Sequence, residues 1–273
     1  KAISVGICGD AKAAASALAA RLAGKSLACH ANKAERDAAI KAEKAAWEAE
    51  LDKWTHETDP YSVEIAQGSG AMHPRQMLRE LERAMPKGAM VSTDIGNICS
   101  VSNSYLRFDE PRSMLAAMSF GNCGYAFPVA CGAKVARPDR PAIAYVGDGA
   151  WGISLNELLT CAREKIGVTV VVFNNGQWGA EKKNHVDFYS RRYQGVELVN
   201  PSWAAVAKSF GCDGVTVDKL GDVGAALAES VKRQAEGKTT VIEMMVTKEL
   251  GDPFRRDALS KPVRHLAKYK SFV

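Results

Sequence analysis

The stretch GDGAWGISLNELLTCAREKIGVTVVVFNN, residues 147–175, decides how this chain folds. It opens with an acid between two glycines and closes on a pair of asparagines. Near its end, VTVVVF (residues 168–173) is a short apolar, β-branched run, and PAIAYV (residues 141–146) just upstream is another. Runs of that length and composition read as buried strands. Between them, residues 154–165 predict a helix that buries Leu155, Leu158, Leu159 and Ala162, with Ile166 just beyond its end, because these residues recur at helical spacing. Strand, helix and strand in that order make a crossover between neighbouring parallel strands, so both strands end on one edge of the sheet. Asp148 and Asn175 emerge at that edge, where open parallel sheets hold their ligands.

The pattern continues outward. HPRQMLRELERAM (residues 73–85) is an amphipathic helix with Met77, Leu78, Leu81 and Met85 on one face, and KGAMVSTD (residues 87–94) is a buried strand. Helices are expected over residues 128–136, 201–211 and 222–236, and strands over 214–217 and 239–246. Such alternation predicts an α/β fold with a mainly parallel sheet and helices on both faces.

The first third of the chain reads differently. Residues 3–7 suggest a strand leading through a turn into an Ala-rich helix, a unit that normally sits beside earlier strands, so the chain is expected to begin inside a domain. Residues 32–56, rich in Ala, Lys and Glu, read as a long exposed linker helix with a thin stripe of Ile40, Trp47, Leu51 and Trp54. A coiled coil is the alternative, but the heptads are few and irregular. The expected organisation is the end of a middle, Rossmann-like domain at residues 1–30, a helical linker at 31–71, and the main domain with a C-terminal tail at 72–273.

Composition narrows the function. The 273 residues are 47% hydrophobic without a run long enough to span a membrane. The net charge of +5 comes from 36 basic and 31 acidic residues that are interspersed, which argues against a nucleic-acid partner. The seven cysteines (Cys8, Cys29, Cys99, Cys123, Cys131, Cys161 and Cys212) form no C-x-x-C pair, and with no signal peptide in view a reducing cytoplasm is expected.

One carboxylate and one amide oxygen, Asp148 and Asn175, make a hard partial site. Completed by a carbonyl, water and phosphate oxygens, it suits Mg²⁺, which takes about six oxygens and is held through few protein groups. Gly147 and Gly149 let the backbone turn and a diphosphate approach the amides at the start of a helix. Either motif alone is an ordinary turn; the two in order, across a crossover, point to a cofactor site.

This pattern resembles the signature of thiamine diphosphate enzymes. The resemblance implies that Asp148, Asn175 and the main-chain carbonyl of Gln177 hold Mg²⁺, and that the Ala150 amide meets the diphosphate. TDIGN (residues 93–97) and SFGNCGYAFPVACGAK (residues 119–134) are similar to two further elements of that family. They imply diphosphate contacts at Gly96 and Asn97, an aminopyrimidine contact at the Gly121 carbonyl, and a wedge under the bent cofactor at Cys123, where relatives carry Met, Leu or Ile. No catalytic residue is assigned, because the activating glutamate of the family is expected in a pyrimidine-binding domain that lies outside these residues. The chain alone is therefore expected not to turn over, and to form a homo-oligomer, a dimer or tetramer, in which sites are shared.

Residues 72–108, 174–189 and the tail 251–273 resemble, more narrowly, the sulfoacetaldehyde acetyltransferases. That implies conversion of the small anions sulfoacetaldehyde and phosphate to acetyl phosphate and sulfite, a step of sulfonate metabolism. An acetolactate-synthase-like carboligase, a sulfopyruvate decarboxylase and a non-catalytic cofactor-binding module remain as alternatives. Lys182, Lys183, His185, Arg191 and Arg192 follow the asparagine pair and are candidates either for anion binding or for a solvated surface, as is the basic run from Arg255 to Lys270. His73, before Pro74, is expected at a helix start.

Overall fold

Six parallel strands form one sheet in the order β2-β1-β3-β4-β6-β5. They are β1 (Met90–Thr93), β2 (Met114–Ala116), β3 (Ala142–Gly147), β4 (Thr169–Asn174), β5 (Asp213–Val217) and β6 (Thr240–Met245). The computed structural model describes residues 4–26, 32–56 and 71–249. Cys29, His30, His265, the tail similarity and the basic run from Arg255 lie outside the described residues.

The four inner strands are buried on both faces. Along β3, Ala142, Ala144 and Val146 share a cluster with Phe127, Trp151, Leu158 and Trp203, while Ile143 and Tyr145 point the other way and are equally inaccessible. Side chains alternate across a strand, so full burial of both sets requires a layer on each side. The first layer includes α5 (Ala126–Ala136), α6 (Asp148–Ser154), α7 (Glu157–Glu164) and α9 (Trp203–Ser209). α10 (Leu220–Gln234) packs on β4, β5 and β6 and against α3 (Pro74–Ala84). The expected face of α3 is buried at Met77, Leu78 and Leu81, and His73 caps it, its Nδ1 accepting from the Gln76 amide.

The expected crossover is present, with β3 and β4 paired in parallel from Ile143↔Thr169 to Gly147↔Phe173. Its helix differs. It begins directly at Asp148, ends at Ser154, and restarts at Glu157 after a tight turn in which the Leu158 amide donates to the Leu155 carbonyl. The break rotates the second segment, so Leu158 and Cys161 are buried, Leu155 and Ile166 sit at the margin, and Leu159 and Ala162 face outward. Two further elements carry no periodic apolar signal: β2, a three-residue edge strand, and α8 (Gly179–Phe188), whose buried residue is Lys182.

The described residues fall into two compact units, one ending at Glu50 and the other beginning at Leu51. In the first, the described part of the strand expected over residues 3–7, residues 4–7, is not a strand: no described strand pairs with it, and an unpaired strand leaves its backbone groups to water. α1 (Ala11–Leu22) follows, capped by the Asp10 carboxylate, which accepts from the Ala13 amide at 2.8 Å, and buries no residue. α2 (Lys33–His56) runs across the division between the units: it is exposed through most of its length, Ile40 included, and Leu51, Trp54 and Thr55, which belong to the second unit, are buried. Among the described residues no helix is long and apolar enough to cross a membrane.

Candidate functional site

Asp148 and Asn175 each follow the last residue of a central strand, and because β3 and β4 end in register they leave the sheet at the same edge. Both line one cleft there, with Gly96, Asn97, Cys123, Gly147, Gly149, Ala150 and Gln177. Of the residues marked from the sequence, Gly121 alone does not: it sits in an exposed turn at φ +76°, its amide donating to the Ala117 carbonyl at 2.9 Å.

Asp148 is 2% exposed. Its Oδ1 accepts from the Gly149 amide at 3.0 Å, and its Oδ2 accepts from the Gly176 amide at 2.7 Å and from Asn200 Nδ2 at 2.7 Å. All three donors are neutral. Burial pushes its pKa above the ordinary carboxylate value, against the pull of those hydrogen bonds. A buried carboxylate without a cationic partner is an energetic cost that a bound cation removes. Asn175 is buried too, and its side chain makes no hydrogen bond to the described residues, so its amide oxygen can coordinate. Gln177 offers its backbone carbonyl only, since its Nε2 donates to the Lys248 carbonyl at 2.9 Å and its Oε1 accepts from Lys182 Nζ at 3.0 Å. One carboxylate, one side-chain amide oxygen and one backbone carbonyl make a hard, oxygen-only donor set, the kind that suits Mg²⁺.

The glycines act in two ways. Gly96 has φ +149°, a conformation L side chains rarely adopt, and starts α4 (Asn97–Ser102). Gly149 is required by contact, because a Cβ there would lie 2.8 Å from the Trp178 ring, which packs on its backbone. The Cys123 thiol is pushed up by burial and by the carboxylates of Asp94 and Glu181, which keeps it a neutral filler at the cleft wall.

Sequence reasoning missed several parts of the site. Asp94, 3% exposed, takes the amides of Ile95 and Gly124 on Oδ1 and that of Ala126 on Oδ2, tying the Cys123 loop and the start of α5 to the end of β1. Trp178 and Glu181 line the cleft, and Asn200 reaches Asp148 from a distant loop. Glu243 is the clearest omission, since a carboxylate inside the apolar run 239–246 demands partners wherever it is buried. The basic residues after the asparagine pair split. Lys182 is buried and bound to Glu197 at 2.6 Å, Lys183 pairs with Asp187 at 2.7 Å, and His185 sits against Tyr189 and Tyr193. Arg191 and Arg192 are exposed. Lys182 is thus a strut for the Gln177 loop, its Nζ donating to both Gln177 Oε1 and Glu197 Oε1.

Glu243 gives the site a pH signature. Burial alone would raise its pKa, but donation from the Trp203 amide, Asn174, the Ala204 amide and Thr216 outweighs it and holds the group below the usual carboxylate range. A lowered folded-state pKa adds stability that is present above the ordinary value of 4.5 and is lost as pH falls through the lowered one. Asp94 and Asp148 have the opposite sign, being held above their ordinary value by burial, so they do not drive acid unfolding. Acid titration followed by circular dichroism should show stability falling below about pH 4.5, with a shallower fall in Glu243→Gln. An identical pH dependence in both proteins contradicts this assignment.

Residues 94–244 match the family model described as thiamine pyrophosphate enzyme, C-terminal TPP binding domain. The chain belongs to this family. It is 60% identical to a sulfoacetaldehyde acetyltransferase of Castellaniella defragrans over 279 aligned positions, which cover 100% of this chain and 47% of that protein. An acetolactate synthase large subunit of Parasynechococcus marenigrum is 33% identical over 175 positions, covering 63% of this chain and 28% of that protein. Among solved structures, the benzoylformate decarboxylase from Polynucleobacter necessarius superposes with a TM-score of 0.61 at 23% identity, covering 72% of this chain and 36% of that one, which establishes the shared fold. The chain spans about half the length of the acetyltransferase it matches.

Proposed function

We propose that this chain supplies the metal and diphosphate half of a thiamine-diphosphate-dependent sulfoacetaldehyde acetyltransferase. The cofactor reading is carried by one observation: among the described residues a buried Asp148 has only neutral donors, in the same cleft as an Asn175 side chain that makes no hydrogen bond to them. The choice of substrate is supported by the 60% identity along the whole chain, against 33% over part of it for the acetolactate synthase.

In this reading Asp148, Asn175 and the Gln177 carbonyl hold Mg²⁺, and Gly96, Asn97, Gly147, Gly149 and the Ala150 amide receive the diphosphate. Cys123 supports the bent cofactor, and the Gly121 carbonyl takes the aminopyrimidine. Thiamine diphosphate held by these residues would supply a nucleophilic carbon for acyl transfer. The chain's own work is to orient and to exclude water: Trp178 closes the cleft over Gly149, and the Glu197–Lys182 pair fixes the loop that bears Gln177. Residues 1–30 end a middle domain, 31–71 link, and 72–273 form the diphosphate domain of a cytoplasmic homo-oligomer, whose pyrimidine-binding domain completes each site.

The test combines this chain with the pyrimidine-binding portion of such an enzyme, thiamine diphosphate and Mg²⁺. Phosphate-dependent formation of sulfite and acetyl phosphate in equal amounts is expected. Carbon dioxide released from pyruvate or sulfopyruvate, without sulfite from sulfoacetaldehyde, would overturn the proposal.

A further inference from the structure

Glu243 stands on β6 at 2% exposure, beside Thr216 of the neighbouring strand. Its Oε1 accepts from Asn174 Nδ2 at 2.8 Å and from the Trp203 amide at 3.1 Å. Its Oε2 accepts from Ser202 Oγ at 3.1 Å, from the Ala204 amide at 3.2 Å and from Thr216 Oγ1 at 2.9 Å. This carboxylate therefore pins the first turn of α9 while facing Asn174. Asn174 Oδ1 in turn accepts from Asn200 Nδ2 at 2.9 Å, and the same Nδ2 donates to Asp148 Oδ2 at 2.7 Å.

We infer that Glu243, Asn174 and Asn200 are positioning residues, a chain of fixed polarity that turns the Asn200 amide toward Asp148 and so aims the carboxylate into the cleft. An ionised carboxylate only accepts, which forces Asn174 to turn its NH₂ inward and its oxygen toward Asn200. Asn200 must then spend one N–H on Asn174 and has the other for Asp148. Reversing any member would set an oxygen against Asp148. The two amide orientations beside the site are thus dictated by a charge that touches neither Asp148 nor the cleft. The inference rests on the reading of Asp148 as a metal ligand, and it extends to three residues that reading does not use.

The test is a cycle of variants at pH 8, each titrated calorimetrically with Mg²⁺ at saturating thiamine diphosphate. Asn200→Ala, a half-buried loop residue whose hydrogen bonds go to this chain of groups, should weaken Mg²⁺ binding about 10-fold or more, as removal of a group supporting a ligand does. Asn174→Asp places two carboxylates face to face and should weaken it at least as much. Adding Glu243→Gln to Asn174→Asp lets the Gln side chain donate to the new carboxylate where Glu accepted, at the cost of the Trp203 amide's acceptor, and should recover most of the lost affinity. A merely structural role for Glu243 makes the double variant worse than either single one, which would overturn the inference, as would Asn174→Asp binding Mg²⁺ like wild type. The Asn200 side-chain amide resonances of the metal-free, ¹⁵N-labelled protein provide the second readout. They should shift in Asn174→Asp and return in the double variant. If wild type fails to bind Mg²⁺, the metal reading falls, while these resonances still decide whether the chain of polarity exists.

Discussion

Asp148→Ala is expected to weaken Mg²⁺-dependent thiamine diphosphate binding by on the order of 10-fold or more, in line with losses at metal ligands and their supports. The variant removes the carboxylate among the proposed ligands and leaves Asn175 and the Gln177 carbonyl without a charge to offset the cation's desolvation. Its effect on the metal-free fold should be small. Burial holds the Asp148 pKa above its ordinary value, so the ionised group costs stability at neutral pH, and the donors it releases from Gly176 and Asn200 border a cleft that water enters. Thermal unfolding separates the two effects. Wild type and variant should melt at similar temperatures without ligand, and wild type alone should gain stability when Mg²⁺ and the cofactor are added, as a ligand bound only to the native state requires. Equal ligand-induced shifts would remove Asp148 from the site.

A second large effect is expected far from any ligand. A Cβ at Gly214 would lie 2.1 Å from the Ala204 carbonyl oxygen, with the Ala204 Cα at 2.9 Å, so β5 and α9 meet backbone to backbone. The helix cannot retreat cheaply, because the Trp203 and Ala204 amides are held by Glu243. Gly214→Ala should therefore cost roughly 2–3 kcal/mol through overpacking. For a domain of this size that is a fall in melting temperature on the order of 5–10 °C. Gly221→Ala is the control: a Cβ there meets nothing within 4 Å in the first turn of α10, and the variant should be as stable as wild type or slightly more so. Comparable losses in both variants, or none in Gly214→Ala, would contradict the packing.

The sequence made the sheet legible because its strands are apolar on both faces and its helices are periodic. The opening crossover was read with its ends at the correct edge, and three of the four residues expected on the face of α3 are buried, Met85 lying half-buried just past the helix end. Elements without an apolar stripe escaped. α8 buries a lysine, and β2 is three half-exposed residues, so neither carries the pattern that marks an element. The outward face of α7 was misassigned because the backbone restarts after Ser154, and periodicity counted through a break gives the wrong angle. The cleft itself was legible through local motifs: residues near Gly147 and near Asn175 meet there as expected. The supports were not. Asn200, Asp94 and Glu243 act across 52, 30 and 69 positions in sequence respectively, and no spacing rule links partners so far apart. Only Glu243 left a trace, as a charge inside an apolar strand.

The claim on which the rest depends is that a divalent cation sits where β3 and β4 end. Crystals grown with Mn²⁺ in place of Mg²⁺ and with thiamine diphosphate would locate it by anomalous scattering. An anomalous peak about 2.0–2.3 Å from an Asp148 carboxylate oxygen, the Asn175 amide oxygen and the Gln177 carbonyl is the expected result. A peak bound elsewhere, with Asp148 still held by its neutral donors alone, would contradict the account.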